Sequence, residues 1–554
     1  MRHSLRVLLG LGLALGAAGC SDYLSGPGVS STQDPNNPLS LKKAGPLYIG
    51  IQQGMPTQFE GQLARFAAEY TQQIAGISRQ QLGFDRYQAS PPDVDTYWDA
   101  VYGSSIFVTG GGGLLDIHKA QQIARSTSDS LYIGILKVYE ALVVGYAAAL
   151  FGDIPYREAA DSTIPQPHFD PQLQVYGDLQ AQLDSALYIY LPATGGPNFG
   201  PNRDVAELVY GGRGTAGLRA VYKEVAASLK ARYFLHVGAA SVAGRPGAPP
   251  AAYDSAFKYA QLGISTPDDD FFAFHDATGV GVNIWIQFYG ARFGDIGPGA
   301  ALVEIMKRMQ ANGFDDNARL AYYWLPADFT PAGDATGPDD YFGYRPGGAT
   351  GLTTTGGIYN GSGSALDQAY SDFGNNFGGF FQGSGNVRNP LISYAETQLI
   401  AAEAAWRLNG GGADPTVVVV AAQQFLDAAR KNRHFGVEDG TPVTFGDAPG
   451  TLLASLQNIM EEKYIALFLN PEVWSDYRRT CLPSLAPAPA AGATTPGTSA
   501  IPGRLPYGQT EINANPNTPA TSSAGVPITS NSINATELAP CPVLNYTTSV
   551  PLAN

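Results

Sequence analysis

The chain has 554 residues, 44% of them hydrophobic, with 33 Lys and Arg against 48 Asp and Glu and a formal net charge of -15. That length is ample for a large core in one or two domains, and so negative a surface repels phosphate backbones, which excludes nucleic acid as an expected partner. The 66 glycines and 40 prolines predict many shaped loops between elements.

At the N-terminus Arg2 and Arg6 precede an apolar run, Val7 to Ala18. It is too short to span a bilayer, which needs about 20 apolar residues, but has the charge and small-residue end of a secretory signal. The run closes Leu15-Gly16-Ala17-Ala18-Gly19-Cys20. Small residues before a cysteine suit a lipoprotein signal peptidase, and Cys20 then becomes an acylated first residue held in the membrane. The plainer reading is an ordinary secretory signal with an incidental Cys20. Residues 1–19 are thus read as the signal and 20–38, polar and turn-rich, as a flexible tether.

Residues 39–554 read as one mainly α domain. Helical spacing is expected over Leu41 to Ala75 with a break near Gly54-Met55-Pro56, and over Val94 to Ala124 with an interruption at Gly110 to Gly113. Leu131 to Phe151 is the most apolar stretch, but Lys137 and Glu140 mark it as a buried helix rather than a membrane span. Gln172 to Leu191 carries Leu179, Leu183 and Leu187 on one stripe. Leu218 to Val237 with Ala251 to Ile264, and Tyr394 to Leu408 with Pro415 to Phe435, form helix pairs. Asp414 and Pro415 are expected to start the last of these as N-cap and N1. Leu452 to Phe468 and a short Trp474 to Arg479 follow. Paired helices with Ala-rich faces suggest tetratricopeptide-like packing, although no strict repeat of about 34 residues is visible.

The stretch from about 267 to 389 is rich in Gly, Asp, Asn, Phe and Tyr, with only Ala300 to Asn312 clearly helical, and the tail 483–554 is irregular. Loops on a helical scaffold are a common seat for binding residues. Cys481 and Cys541 sit in Pro-rich sequence and could pair in an oxidising compartment, the alternative being two separate thiols.

Catalytic signatures such as GxSxG, HExxH, CxxC and the Walker loop are missing, and no cofactor is expected. His118, His168, His236, His275 and His434 lack metal-ligand spacing. Asp268-Asp269-Asp270 supply oxygens that calcium accepts, but adjacent carboxylates point different ways, so no metal site is assigned. A distant carboxylate pair, enough for a surface-attached glycoside hydrolase, escapes this kind of reading. Aromatic residues in the loop-rich region are more telling. Trp285, Phe288 and Tyr289, Tyr341 and Tyr344, and Phe380 and Phe381 lie among Asp, Asn and Gly. Sugar rings stack on such planes while their hydroxyls bond to the polar neighbours. An apolar peptide side chain would fit the same surface, and small satellite cores under long loops are the structural alternative.

Four segments resemble the SusD/RagB family of nutrient-binding lipoproteins. Gly152-Asp153-Ile154-Pro155-Tyr156 follows a long helix as their GDxPY signature does. Tyr394-Ala395-Glu396 through Ala402-Glu403-Ala404 looks like their YAExxLIxAEA helix. Glu462 to Phe468 and Trp474 to Thr480 look like EKYIALF…WxDYRRT. Arg504-Leu505-Pro506-Tyr507 with Glu511 and Asn515 is similar to the RLPYPxxExxxN tail, with Gly508 in the place of proline. The resemblance covers nearly the whole mature chain. It implies a SusD-like fold, mainly α, with tetratricopeptide-like helix pairs forming a scaffold under a loop-rich insert. It also implies an outer-membrane lipoprotein facing the cell exterior, a lid on a SusC-like TonB-dependent transporter that binds an oligosaccharide, or in some members a peptide, without catalysis.

Overall fold

The computed structural model describes residues 44–103, 112–161, 163–194, 206–276, 281–292, 294–312, 323–325, 343–347, 372–373, 387–433, 443–444, 450–488, 500–520 and 535–542. Cys20 with the signal and tether, and Tyr341, Phe380 and Phe381 of the insert, lie outside them. The first helix, α1 (Ala44–Phe59), runs through Pro56 instead of breaking there, and α2 is Gln62–Tyr70. The break falls at Gly61, where a side chain's Cβ would sit 2.4 Å from the Thr57 carbonyl oxygen. Close approach, not proline, therefore sets the boundary. After β1 (Ile74–Gly76) and α3 (Arg79–Asp85), α4 (Pro91–Tyr102) opens on a capping box in which Ser90 N donates to Asp93 Oδ2 at 2.9 Å.

The centre of the molecule is α6 (Ser130–Phe151), between α5 (Leu114–Ser126), α7 (Gln172–Asp184) and α8 (Gly214–His236). It is long and apolar enough to cross a membrane, yet every residue from Leu131 to Phe151 is buried inside the protein. Gly145 allows α8 to approach it, since a Cβ there would lie 2.2 Å from the Tyr233 hydroxyl, which donates to Ala141 O at 2.7 Å. The scaffold continues as packed helices. α9 (Gly238–Val242) leads to α10 (Ala252–Ala260), which packs on α8.

The loop-rich insert leaves this scaffold at β2 (Phe271–Phe272). Within it, α11 (Ile284–Ala291) was not expected from the sequence. Its eight residues are too few to show periodicity, and its start is fixed by Asn283, whose Oδ1 accepts from Trp285 N at 2.9 Å and Ile286 N at 3.3 Å. Then come β3 (Ile296–Pro298), antiparallel to β1, α12 (Ala300–Ala311), and the short pair β4 (Trp324–Leu325) and β5 (Asp372–Phe373). The insert returns at β6 (Pro390–Ile392), which pairs antiparallel with β2 so that Phe271 faces Ile392. A two-stranded clasp thus closes its base.

The chain then forms α13 (Tyr394–Leu408), which packs on α10, and α14 (Val420–Lys431), which packs on α13. Asp414 does not cap α14. Its carboxylate accepts from Thr416 N (2.9 Å) and Oγ1 (2.7 Å) in a local turn, and Val419 N donates to Ala454 O at 3.0 Å, so the chain stays extended for several more residues. After the small pair β7 (Asn432–Arg433) and β8 (Val443–Thr444), α15 (Leu456–Ala466) and α16 (Glu472–Thr480) complete the scaffold, and α17 (Gln509–Ala514) rests on α4. Cys481, left-handed at the end of α16, is joined to Cys541 in a disulfide with its Cα atoms 5.3 Å apart.

Candidate functional site

Of the seven aromatics expected to meet a ligand, four are described, and three of these are interior. Trp285 (0% exposed) and Tyr289 (4%) stand one helical turn apart on α11 and enter a core shared with Leu302, Trp324 and Trp406. Tyr344 packs on Ala75, and its backbone bonds to Ala300 N (2.8 Å) and Pro298 O (2.7 Å). These three rings pin the insert to the scaffold, which corrects their assignment as ligand contacts. Phe288 differs. It is half-buried, and the Arg65 guanidinium lies 4.1 Å from its ring centre.

The family-like segments make buried ion pairs. Arg232 forks onto Glu396 (2.7 and 2.6 Å), Arg479 onto Glu403 (2.9 and 2.9 Å), Lys463 meets Asp476 (2.8 Å), and His236 meets Glu472 (2.5 Å). Burial pushes the Glu403 carboxyl up, but Arg479, Arg407 and Lys463 outweigh it and hold it down at about 2. The tail straps these helices to α6. Leu505 N donates to Leu150 O (2.9 Å), Tyr507 Oη to Asp153 O (2.8 Å), and Arg478 Nη1 to Gly503 O (2.6 Å). Gly508 lies against Trp98, where a Cβ would come within 3.2 Å of that side chain. Two of the three aspartates at 268–270 are spoken for in the same way. Asp269 pairs with Arg213, and Asp270 Oδ1 accepts from Tyr394 N at 2.5 Å. Among the described residues no group of three or more His, Cys, Asp or Glu is placed to hold a metal ion.

An open cleft of about 360 Å³ lies where the GDIPY turn meets α5, α6 and α7, lined by His118, Glu140, Tyr156, Arg157, Asp178 and Gln182. Glu140 is its buried floor. Its carboxylate accepts from Tyr156 Oη (2.8 Å) and Gln121 Nε2 (2.6 Å), with His118 Nε2 at 3.5 Å. Burial pushes this carboxyl up, but the bonds from His118, Gln121 and Tyr156 win and hold it below the usual range. At the rim, Arg157 and Asp178 form a two-point pair (2.7 and 2.9 Å) that stays largely solvent-exposed. A guanidinium beside a carboxylate, with an amide and an imidazole, offers donors and acceptors to a polyhydroxylated ligand. Sequence reading missed this set because its members are scattered from 118 to 182. The trace that exists is that Tyr156 and Arg157 end and follow the GDxPY-like turn.

A family model described as starch-binding associating with outer membrane matches residues 35–508. Solved structures share the fold. A chitin-binding protein aligns at 19% identity and TM-score 0.63, covering 91% of this chain and 100% of that one. A SusD-like protein from Bacteroides thetaiotaomicron VPI-5482 aligns at 18% identity and TM-score 0.60 (90% and 99%). A SusD homolog from Bacteroides fragilis NCTC 9343 aligns at 15% identity and TM-score 0.61 (89% and 99%). No curated protein sequence matches the chain.

Proposed function

Because the chain belongs to the SusD/RagB family, we propose that it captures oligosaccharides at the outer membrane and passes them to a SusC-like TonB-dependent transporter. It acts there as a lid, held beside the barrel by a lipid on Cys20 and free to swing on the 20–38 tether, on the outer face of the cell. The observation that carries the reading is the match of a starch-binding family over 35–508, and the chitin-binding structural relative points to the same class of ligand. The polar cleft supports it with hydrogen-bonding groups of both kinds. Phe288, with Tyr341, Phe380 and Phe381 of the insert, remains a proposed stacking contact.

The chain binds without cleaving. In the cleft, Glu140 is kept ionised by its three partners and so has no proton to give a leaving group. Titration calorimetry on the full-length protein in detergent, with maltoheptaose, chitohexaose and a peptide digest in turn, tests the reading. Binding of an oligosaccharide, weakened roughly tenfold or more by Arg157→Ala or Asp178→Ala, is the expected result. Binding of peptides alone would overturn the glycan assignment. Release of shorter sugars on long incubation would overturn the non-catalytic one.

A further inference from the structure

A second surface joins aromatic rings to polar groups, at the C-terminal end of α7. There α7 gives way to a single π-helical stretch, Ser185–Tyr190. Such stretches are rare and recur at functional sites because the extra residue per turn re-aims the side chains that follow. The residues turned outward here are Tyr188, 55% exposed, and Ile189, 61% exposed.

An exposed tyrosine ordinarily swings freely, but Tyr188 is held. Its hydroxyl donates to that of Tyr259 on α10 at 3.3 Å. Tyr259 is itself fixed, for its ring stacks on Phe234 of α8 at 5.7 Å with an interplanar angle of 7°. The Lys230 ammonium lies 4.6 Å from the centre of the same ring and is anchored to Asp184 at 2.8 Å. Two elements therefore fix the Tyr259 ring, and its hydroxyl tethers the exposed Tyr188 plane. Nothing in the packing of the core requires it, since Leu179, Leu183 and Leu187 already bury the inner stripe of the same helix. A plane immobilised before contact loses little entropy when a ligand arrives. Asp184 and Lys258 lie close to Tyr259 with part of their polar surface open.

We propose that Tyr188 and Tyr259 form a second glycan subsite, on which a pyranose ring lays its C–H face against Tyr188 while its hydroxyls bond to Asp184 and Lys258. The inference rests on the glycan-capture reading above and adds to it a place distinct from both the cleft and the insert. A chain-like ligand held at two places on one scaffold gains avidity without new contacts at either.

The test compares wild type with Tyr188→Ala and Tyr259→Ala in the full-length protein, by titration with maltoheptaose and chitohexaose and with the matching disaccharides. Thermal melting serves as the control for folding. The expected result is a roughly five- to tenfold loss of affinity for the long oligosaccharide in both variants, with melting unchanged in Tyr188→Ala and somewhat lowered in Tyr259→Ala, whose ring packs on Phe234. Tyr188→Phe, which keeps the ring and loses its hydroxyl, should fall between. Affinities within twofold of wild type in both alanine variants would overturn the subsite and leave glycan capture standing. A wild type that binds neither sugar series would overturn both.

Discussion

Asp85, at the end of α3, is fully buried and reaches across to the insert, where Gly347 N donates to its carboxylate and Arg86 Nε donates to Gly347 O at 2.6 Å. Burial pushes its carboxyl up to about 7, against the pull of the Gly347 and Gly76 backbone N–H groups. An unfolded aspartate ionises near about 4, so between about 4 and 7 the folded chain keeps a proton that the unfolded chain has lost. Stability contributed by this group falls as pH rises through that window. Replacing Asp85 with Asn should flatten that part of the profile, seen as a melting temperature that drops less than that of wild type between about pH 4 and 7. His275 has the same sign from a different cause. Burial pushes its imidazole down, but Glu60, 2.8 Å away, prevails and raises it. Its contribution is complete below the ordinary imidazole range near about 6.5 and fades as pH climbs through the raised value. His275→Gln should lose that alkaline fade. The buried pair at Arg479 carries a larger penalty when broken. Glu403→Gln takes away the two-point partner of a buried guanidinium and leaves it Asp476 alone, and unfolding by denaturant should show a loss of about 3 kcal/mol.

At the scale of elements, α6 and α8 depend on one missing side chain. Gly145→Ala must drive a methyl into the Tyr233 ring, and a loss of about 1–3 kcal/mol in chemical unfolding is expected. α6 is also the element most legible from sequence, because a long apolar run containing only Lys137 and Glu140 as charges has few other solutions. Its neighbours were readable where caps and periodicity agreed, as at Tyr394–Leu408. They were not where local chemistry competed with helix. Asp414 had every mark of an N-cap yet turned its carboxylate onto Thr416, and Pro56 looked like a break yet was absorbed within α1. For the site, composition located the aromatic stretch but could not say which way each ring pointed. Trp285 and Tyr289 face inward because they share one side of a helix too short to announce itself. The cleft stayed hidden for another reason. Its lining comes from three helices and a turn, and only tertiary packing brings His118 to Glu140.

Across the whole molecule, the N-terminal reading makes a separable prediction. Cys20→Ala should move the protein from the membrane pellet to the soluble fraction and leave sugar affinity unchanged, and a variant that still pellets would dispose of the lipid anchor. The disulfide closes a span of 60 residues, so reduction should remove about 4 kcal/mol in the loop-entropy account. The strap formed by residues 502–507 bears on something other than strength. A polypeptide is made from its N-terminus, and α6 exists some 350 residues before Leu505 and Tyr507 arrive to bond with Leu150 and Asp153. The central helix must wait for a segment about 350 residues further on before its end is complete. Assembly of this helix is therefore tied to the synthesis of that later segment, and a chain interrupted before it is left with an unsealed, apolar core that proteases and chaperones can recognise.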